Sequence, residues 1–213
     1  MPATVQPIKL MTCRNSTTQW PRVVVVGPGG VGAYFGGMLA RAGAPVTMLG
    51  RSGRLSTHLQ AIARDGLRLE TLRFDERIRL EVAATTAVVE SAELVLFCVK
   101  TSDTNEAALA IAPQVTNHAT VVALQNGIEN PELMQQAGID PIPAVVYVAA
   151  SVESPGTVKH RGRGDLIIGH PHRSAEVERV AAWFERAGVP CQISEDIERE
   201  MWCKLLLNSM TNA

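Results

Sequence analysis

The chain has 213 residues, 46% of them hydrophobic and 19% charged, with a formal net charge of −1. That is enough for one sizeable domain, or one domain and part of another. Near-neutrality without a long basic run argues against nucleic acid as a main partner, and no apolar run approaches the length that spans a bilayer. The four cysteines, Cys13, Cys98, Cys191 and Cys203, lack C-x-x-C spacing. Neither metal nor disulfide is expected; Cys98 and Cys203 read as reduced packing residues, which suits a cytoplasmic protein.

Residues 1–21 are polar, contain no acidic residue and lack the apolar core of a secretory signal. A disordered N-terminal extension is expected there, with organellar targeting, or a start at Met11, as alternatives. The pattern then changes abruptly. Four valines, Val23 to Val26, form the run expected of a strand covered on both faces, and Gly27, Gly29 and Gly32 follow on the G-x-G-x-x-G spacing. In a strand-turn-helix setting these glycines give a tight turn, a close approach for pyrophosphate and close helix packing, while the helix N-terminus offers free N–H groups. A dinucleotide site over Gly27, Pro28, Gly29, Gly30, Val31 and Gly32 is therefore expected. A helix pattern from Tyr34 to Ala42 stops at Gly43, and a second strand occupies residues 45–49.

The end of that second strand bears on which dinucleotide binds. NAD-specific folds place a carboxylate there for the ribose hydroxyls, whereas this chain reads Gly50-Arg51-Ser52-Gly53-Arg54. A guanidinium suits a 2′-phosphate, so NADP (NADPH) is expected, with Arg51 as its contact and Arg54 as a second candidate.

Farther along, residues 93–100 read as a buried strand ending at Lys100, followed by a helix pattern from Thr104 to Ala112. Residues 120–127 read as another strand running into Gln125-Asn126-Gly127, then a short helix around Glu132 to Met134 and a strand at Ala144 to Val148. Alternating strands and helices imply a parallel, doubly wound sheet, in which Lys100 and Asn126 stand at carboxyl ends facing the crevice. Residues 156–160 and 165–169 read as two strands of an antiparallel hairpin turning through Arg161 to Gly164. Ser174 is the expected cap of a helix to Ala187, stopped by Gly188 and followed by a short strand from Val189 to Ile193. His160, His170 and His172 read as hairpin or loop residues rather than metal ligands.

From Glu195 the pattern is helical again. At about 100° per residue, Lys204, Asn208 and Asn212 fall on one stripe of a helix otherwise lined by Trp202, Leu205, Leu206, Leu207 and Met210. A lysine with two amides is costly to bury without a partner, and a polar substrate would satisfy it.

The Gly27–Gly32 fingerprint, Val99-Lys100, Gln125-Asn126-Gly127, the Pro155-Gly156 entry with Val158 and His160, and Trp202-x-Lys204-x-x-x-Asn208-x-x-x-Asn212 together resemble the ketopantoate reductases, over roughly residues 22 to 213. The resemblance implies a Rossmann-type domain over 22–194 and the start of an all-helical substrate domain over 195–213. It implies NADPH-dependent reduction of 2-dehydropantoate to pantoate in pantothenate biosynthesis, the substrate being a small 2-keto acid. Lys204 would donate the proton to the keto oxygen, Asn126 would touch cofactor and substrate, and Asn208 and Asn212 would bind substrate. Lys100 would line the nicotinamide side. Another NADP-dependent 2-keto acid reductase, or a fragment that binds NADPH without catalysis, are the alternatives. Members of the family continue into further helices that supply a serine and a glutamate. A chain stopping at Ala213 is expected to be truncated, doubtful in activity, and prone to self-association through its uncovered last helix.

Overall fold

The computed structural model describes residues 19–51 and 53–211. The expected disorder of residues 1–18 and the substrate contact at Asn212 therefore lie outside the described residues. Trp20 and Pro21, the end of the segment expected to be disordered, are packed instead: the Arg186 guanidinium stacks on the Trp20 ring at 3.9 Å and Pro21 is buried. The Trp20 ring, next to the first strand, packs against the main core.

Strand β1 (Val23–Val26) lies inside the sheet, parallel to β2 (Val46–Leu49) on one side and β6 (Leu94–Phe97) on the other. Its alternate valines enter different cores: Val23 and Val25 join one cluster, Val24 and Val26 the other. A strand buried on both faces has no polar positions, which is why the run is uninterrupted. Helices α1 (Gly30–Arg41) and α5 (Ser174–Arg186) cover one face, and the rings of Phe35 and Phe184 meet edge-on with centroids 6.0 Å apart. Helices α3 (Thr104–Ile111) and α4 (Asn130–Gln136) cover the other.

With β5 (Glu81–Ala83), β7 (Thr120–Ala123) and β8 (Ile142–Ser154), the parallel strands run in the order β5-β2-β1-β6-β7-β8. This is the doubly wound order of a dinucleotide-binding fold, and it reverses between β1 and β6. Beyond β8 the sheet continues through β9 (Thr157–Ile168) to a second hairpin, β3 (Leu67–Glu70) and β4 (Asp75–Ile78), while β10 (Cys191–Ile193) also pairs with β9. Helix α2 (Thr57–Asp65) precedes β3. The sequence pattern had no element for residues 55–92, because these strands are short and β4 exposes Asp75, Glu76 and Arg77 at the sheet's edge.

The antiparallel hairpin exists, but not where it was expected. Residues 157–168 form one continuous strand paired with β8, and the chain reverses at Pro155-Gly156, where Gly156 has φ +77°. The glycines at 162 and 164 mark a bulge: Val148 opposes Gly164 and Ala149 opposes Gly162, leaving Arg163 as an extra residue at φ +45°. Ser174 is the first helical residue of α5 rather than its cap; Arg173 holds the cap position and makes no side-chain cap bond.

Helix α6 (Ile197–Thr211) packs on β8 and β9, presenting Met201, Lys204, Leu205 and Asn208 on its less exposed side. Its outer face carries Trp202, Leu206, Leu207 and Met210, all exposed. Cys203, expected as a packing residue, is exposed on this outer face too. Among the described residues no helix is long and apolar enough to cross a membrane.

Candidate active site

A cleft of about 550 Å³ opens at the carboxyl ends of β1, β2 and β6. Its floor is the turn Gly27-Pro28-Gly29 and its walls include Arg51, Arg54, Val99 and Lys100. Gly27 has φ +80°, and a Cβ there would stand 2.7 Å from the Val99 backbone nitrogen, so both conformation and space require glycine. Helix α1 opens from Gly29 without a side-chain cap, leaving its first N–H groups and positive dipole end available to an anion. The turn, uncapped helix and flanking arginines fit a dinucleotide phosphate chain. Gly30, Val31 and Gly32 do not line the cleft: a Cβ on Gly30 would collide with the Ala150 carbonyl, Val31 packs on the main core, and Gly32 lies close to Gly27 O and Val25.

A second, much smaller pocket of about 20 Å³ lies beside α6, lined by Asn126, Ala144, Lys204, Asn208 and their neighbours. The Lys204 ammonium donates to Asn126 Oδ1 at 2.7 Å and to the Val146 carbonyl, and lies 5.3 Å from the Tyr147 ring centre. Partial burial, and then the Arg163 guanidinium, bring its pKa down to about 8. A proton held this loosely, in a site lined by amides, is suited to general-acid chemistry near neutral pH. Lys204, Asn126 and Asn208 are thus brought together, while Lys100 stands on the larger cleft, whose lining does not include Asn126.

This site sits on a chain with named relatives. The family model of ketopantoate reductase PanE/ApbA matches residues 23–173. The chain belongs to the ketopantoate reductase family. A 2-dehydropantoate 2-reductase from Halobacterium salinarum is 37% identical over 198 residues, covering 90% of this chain and 64% of the relative. Another, from Pyrococcus horikoshii, is 34% identical over 194 residues, covering 90% and 62%. The crystal structure of a PanE/ApbA family ketopantoate reductase from Ralstonia eutropha JMP134 matches with a TM-score of 0.79 at 44% identity, covering 87% of this chain and 61% of that one. The chain therefore spans just under two thirds of the length of the curated relatives it matches.

In this member of the family the site is held by a polar network that the sequence pattern did not single out. Gln125 Nε2 donates to the Val99 carbonyl at 2.9 Å and to Thr104 Oγ1 at 2.7 Å; Thr104 Oγ1 donates to Asn130 Oδ1 at 2.9 Å. Asn130 Nδ2 then donates to the Asn126 carbonyl at 2.7 Å. Thr104, Gln125 and Asn130 are all buried, so the network ties the segment before Lys100 to the one carrying Asn126. Their separations of 21 and 26 residues conceal this in the sequence. Thr104→Val keeps the shape but strands the Gln125 donor and the Asn130 acceptor. Urea unfolding should show a loss of about 1–3 kcal/mol; an unchanged midpoint would mean the network contributes nothing. His58, also unforeseen, lines the larger cleft and accepts from the Gly156 N–H at 3.1 Å, with burial holding its pKa below the ordinary value.

Proposed function

We propose that this chain provides the NADPH site and the acid of a reductase that converts 2-dehydropantoate to pantoate. The observation that carries the reading is the half-buried Lys204 ammonium, steered by Asn126 and Val146 beside a glycine-floored cleft. A bound reduced nicotinamide would supply the hydride for the keto carbon. Lys204 would then stabilise the negative charge growing on the keto oxygen and pass it a proton. Asn126 holds that ammonium in place, and Asn208, one helical turn on, presents a second amide to the same pocket. Amides read hydroxyls, so keto acids lacking the terminal hydroxyl of 2-dehydropantoate should be turned over less well.

The test is NADPH consumption with 2-dehydropantoate beside other branched 2-keto acids. Equal rates for a keto acid without the hydroxyl would favour a less specific 2-keto acid reductase. No consumption despite bound NADPH would leave only cofactor binding.

The last helix carries a separate expectation. Trp202, Leu206, Leu207 and Met210 are 46%, 59%, 56% and 79% exposed, an apolar face that soluble helices rarely leave open. The 213-residue polypeptide should therefore self-associate through α6. Light scattering should give a mass that climbs with concentration, and Leu206→Glu combined with Leu207→Glu should restore a monomer. A wild-type monomer at all concentrations would sink the idea.

A further inference from the structure

Arg51 and Asp103 meet across the mouth of the larger cleft. Arg51 follows β2 and Asp103 stands at the head of α3, after β6, so β1 and its glycine turn lie between the strands that carry them. Arg51 Nη2 donates to Asp103 Oδ2 at 2.7 Å, and Ser102 Oγ donates to the other carboxylate oxygen at 3.3 Å. Both members of the pair line the cleft. Asp103 occupies the N-cap position of α3, where an aspartate ordinarily turns back to accept from its own helix's N–H groups, yet it makes no such bond. Its carboxylate is committed to the arginine instead.

We propose that the Asp103 carboxylate is an internal competitor for the Arg51 guanidinium, closing over the adenosine end of the cleft and setting how strongly NADPH is preferred to NADH. The proposal rests on the NADPH reading given above. A 2′-phosphate reaching Arg51 must displace Asp103 and then sit near its charge. Free ribose hydroxyls bring no such repulsion and can donate to the same carboxylate. Arg51 and Asp103 thus act on the two cofactors with opposite sign, one rewarding the 2′-phosphate and the other penalising it. The Arg51 side chain is 73% exposed, so solvent screens the pair and its effect is moderate rather than decisive.

The experiment is fluorescence titration of the chain with NADPH and with NADH, for wild type, Asp103→Asn, Asp103→Ala, Arg51→Ala and the double variant Arg51→Ala/Asp103→Asn. Asp103→Asn is nearly isosteric, and circular dichroism checks that each variant is folded. Both Asp103 variants should bind NADPH about two- to fivefold more tightly, with NADH unchanged or weakened. The gain should shrink when Arg51 is absent. Unchanged or weaker NADPH binding in folded Asp103 variants, with Arg51→Ala still shifting the NADPH to NADH ratio, would overturn the competitor alone. An unshifted ratio in Arg51→Ala would overturn the underlying cofactor reading and the competitor with it.

Discussion

Lys204→Ala is expected to lower kcat/KM for keto-acid reduction by about 10²- to 10⁴-fold, the range for losing a positioned general acid. NADPH binding should change little, because Lys204 lines the small pocket beside α6 and not the larger cleft. Lys204→Arg is the informative partner: it keeps a cation but cannot readily release a proton. If the ammonium acts only by charge, Arg should rescue much of the rate; if it delivers the proton, Arg should be nearly as slow as Ala. The pH profile supplies a second check. Reduction needs the protonated amine, and burial has brought its pKa from the ordinary 10.5 to about 8. The rate should be level below about pH 8 and fall about tenfold per unit above it, whereas an unshifted lysine would hold the plateau to beyond pH 10. A plateau extending to pH 10, or near-normal turnover in Lys204→Ala, would rule this residue out as the acid.

Arg51→Ala should cost NADPH binding about 1–3 kcal/mol, the size of a charge-assisted contact, and leave NADH nearly unaffected. The lower half of that range is expected, about five- to thirtyfold, because the side chain is largely exposed and screened. The neighbouring Arg54 also lines the cleft and is the second candidate for a 2′-phosphate. Equal losses for NADPH and NADH would show that Arg51 contributes general attraction and not recognition of the phosphate. Combining Arg51→Ala with Arg54→Ala should then deepen the NADPH loss only if the second arginine shares the load.

What could be read from the chain beforehand depended on how far apart the interacting residues lie. Strand β1 announced itself because four consecutive valines have one structural meaning in a two-faced sheet, and Gly27 because no side chain fits its turn. Lys204 and Asn208 shared a stripe because helical geometry turns a spacing of four into proximity. Contacts between distant segments left no local pattern: the Thr104–Gln125–Asn130 network and the Arg51–Asp103 pair 52 residues apart were invisible, and Lys204 meeting Asn126 across 78 was implied only by the family resemblance. The turn misread at Arg161 to Gly164 has a local cause. Glycines flanking a charged residue look alike whether the chain reverses or merely bulges, and only the partner strand decides which.

Strand β8 runs past both parts of the site. Its Val146 carbonyl receives the Lys204 ammonium, and four residues later its Ala150 carbonyl rests against Gly30 at the start of α1. An extended chain is stiff along its length, so these four steps fix a span of about 13 Å. The strand acts as a ruler between the start of α1 and Lys204, the proposed proton donor. Inserting one residue between Val146 and Ala150 would lengthen that ruler by a single step and turn every later side chain to the opposite face. Loops that carry none of the cleft or pocket residues can vary in length more freely than this stretch of β8.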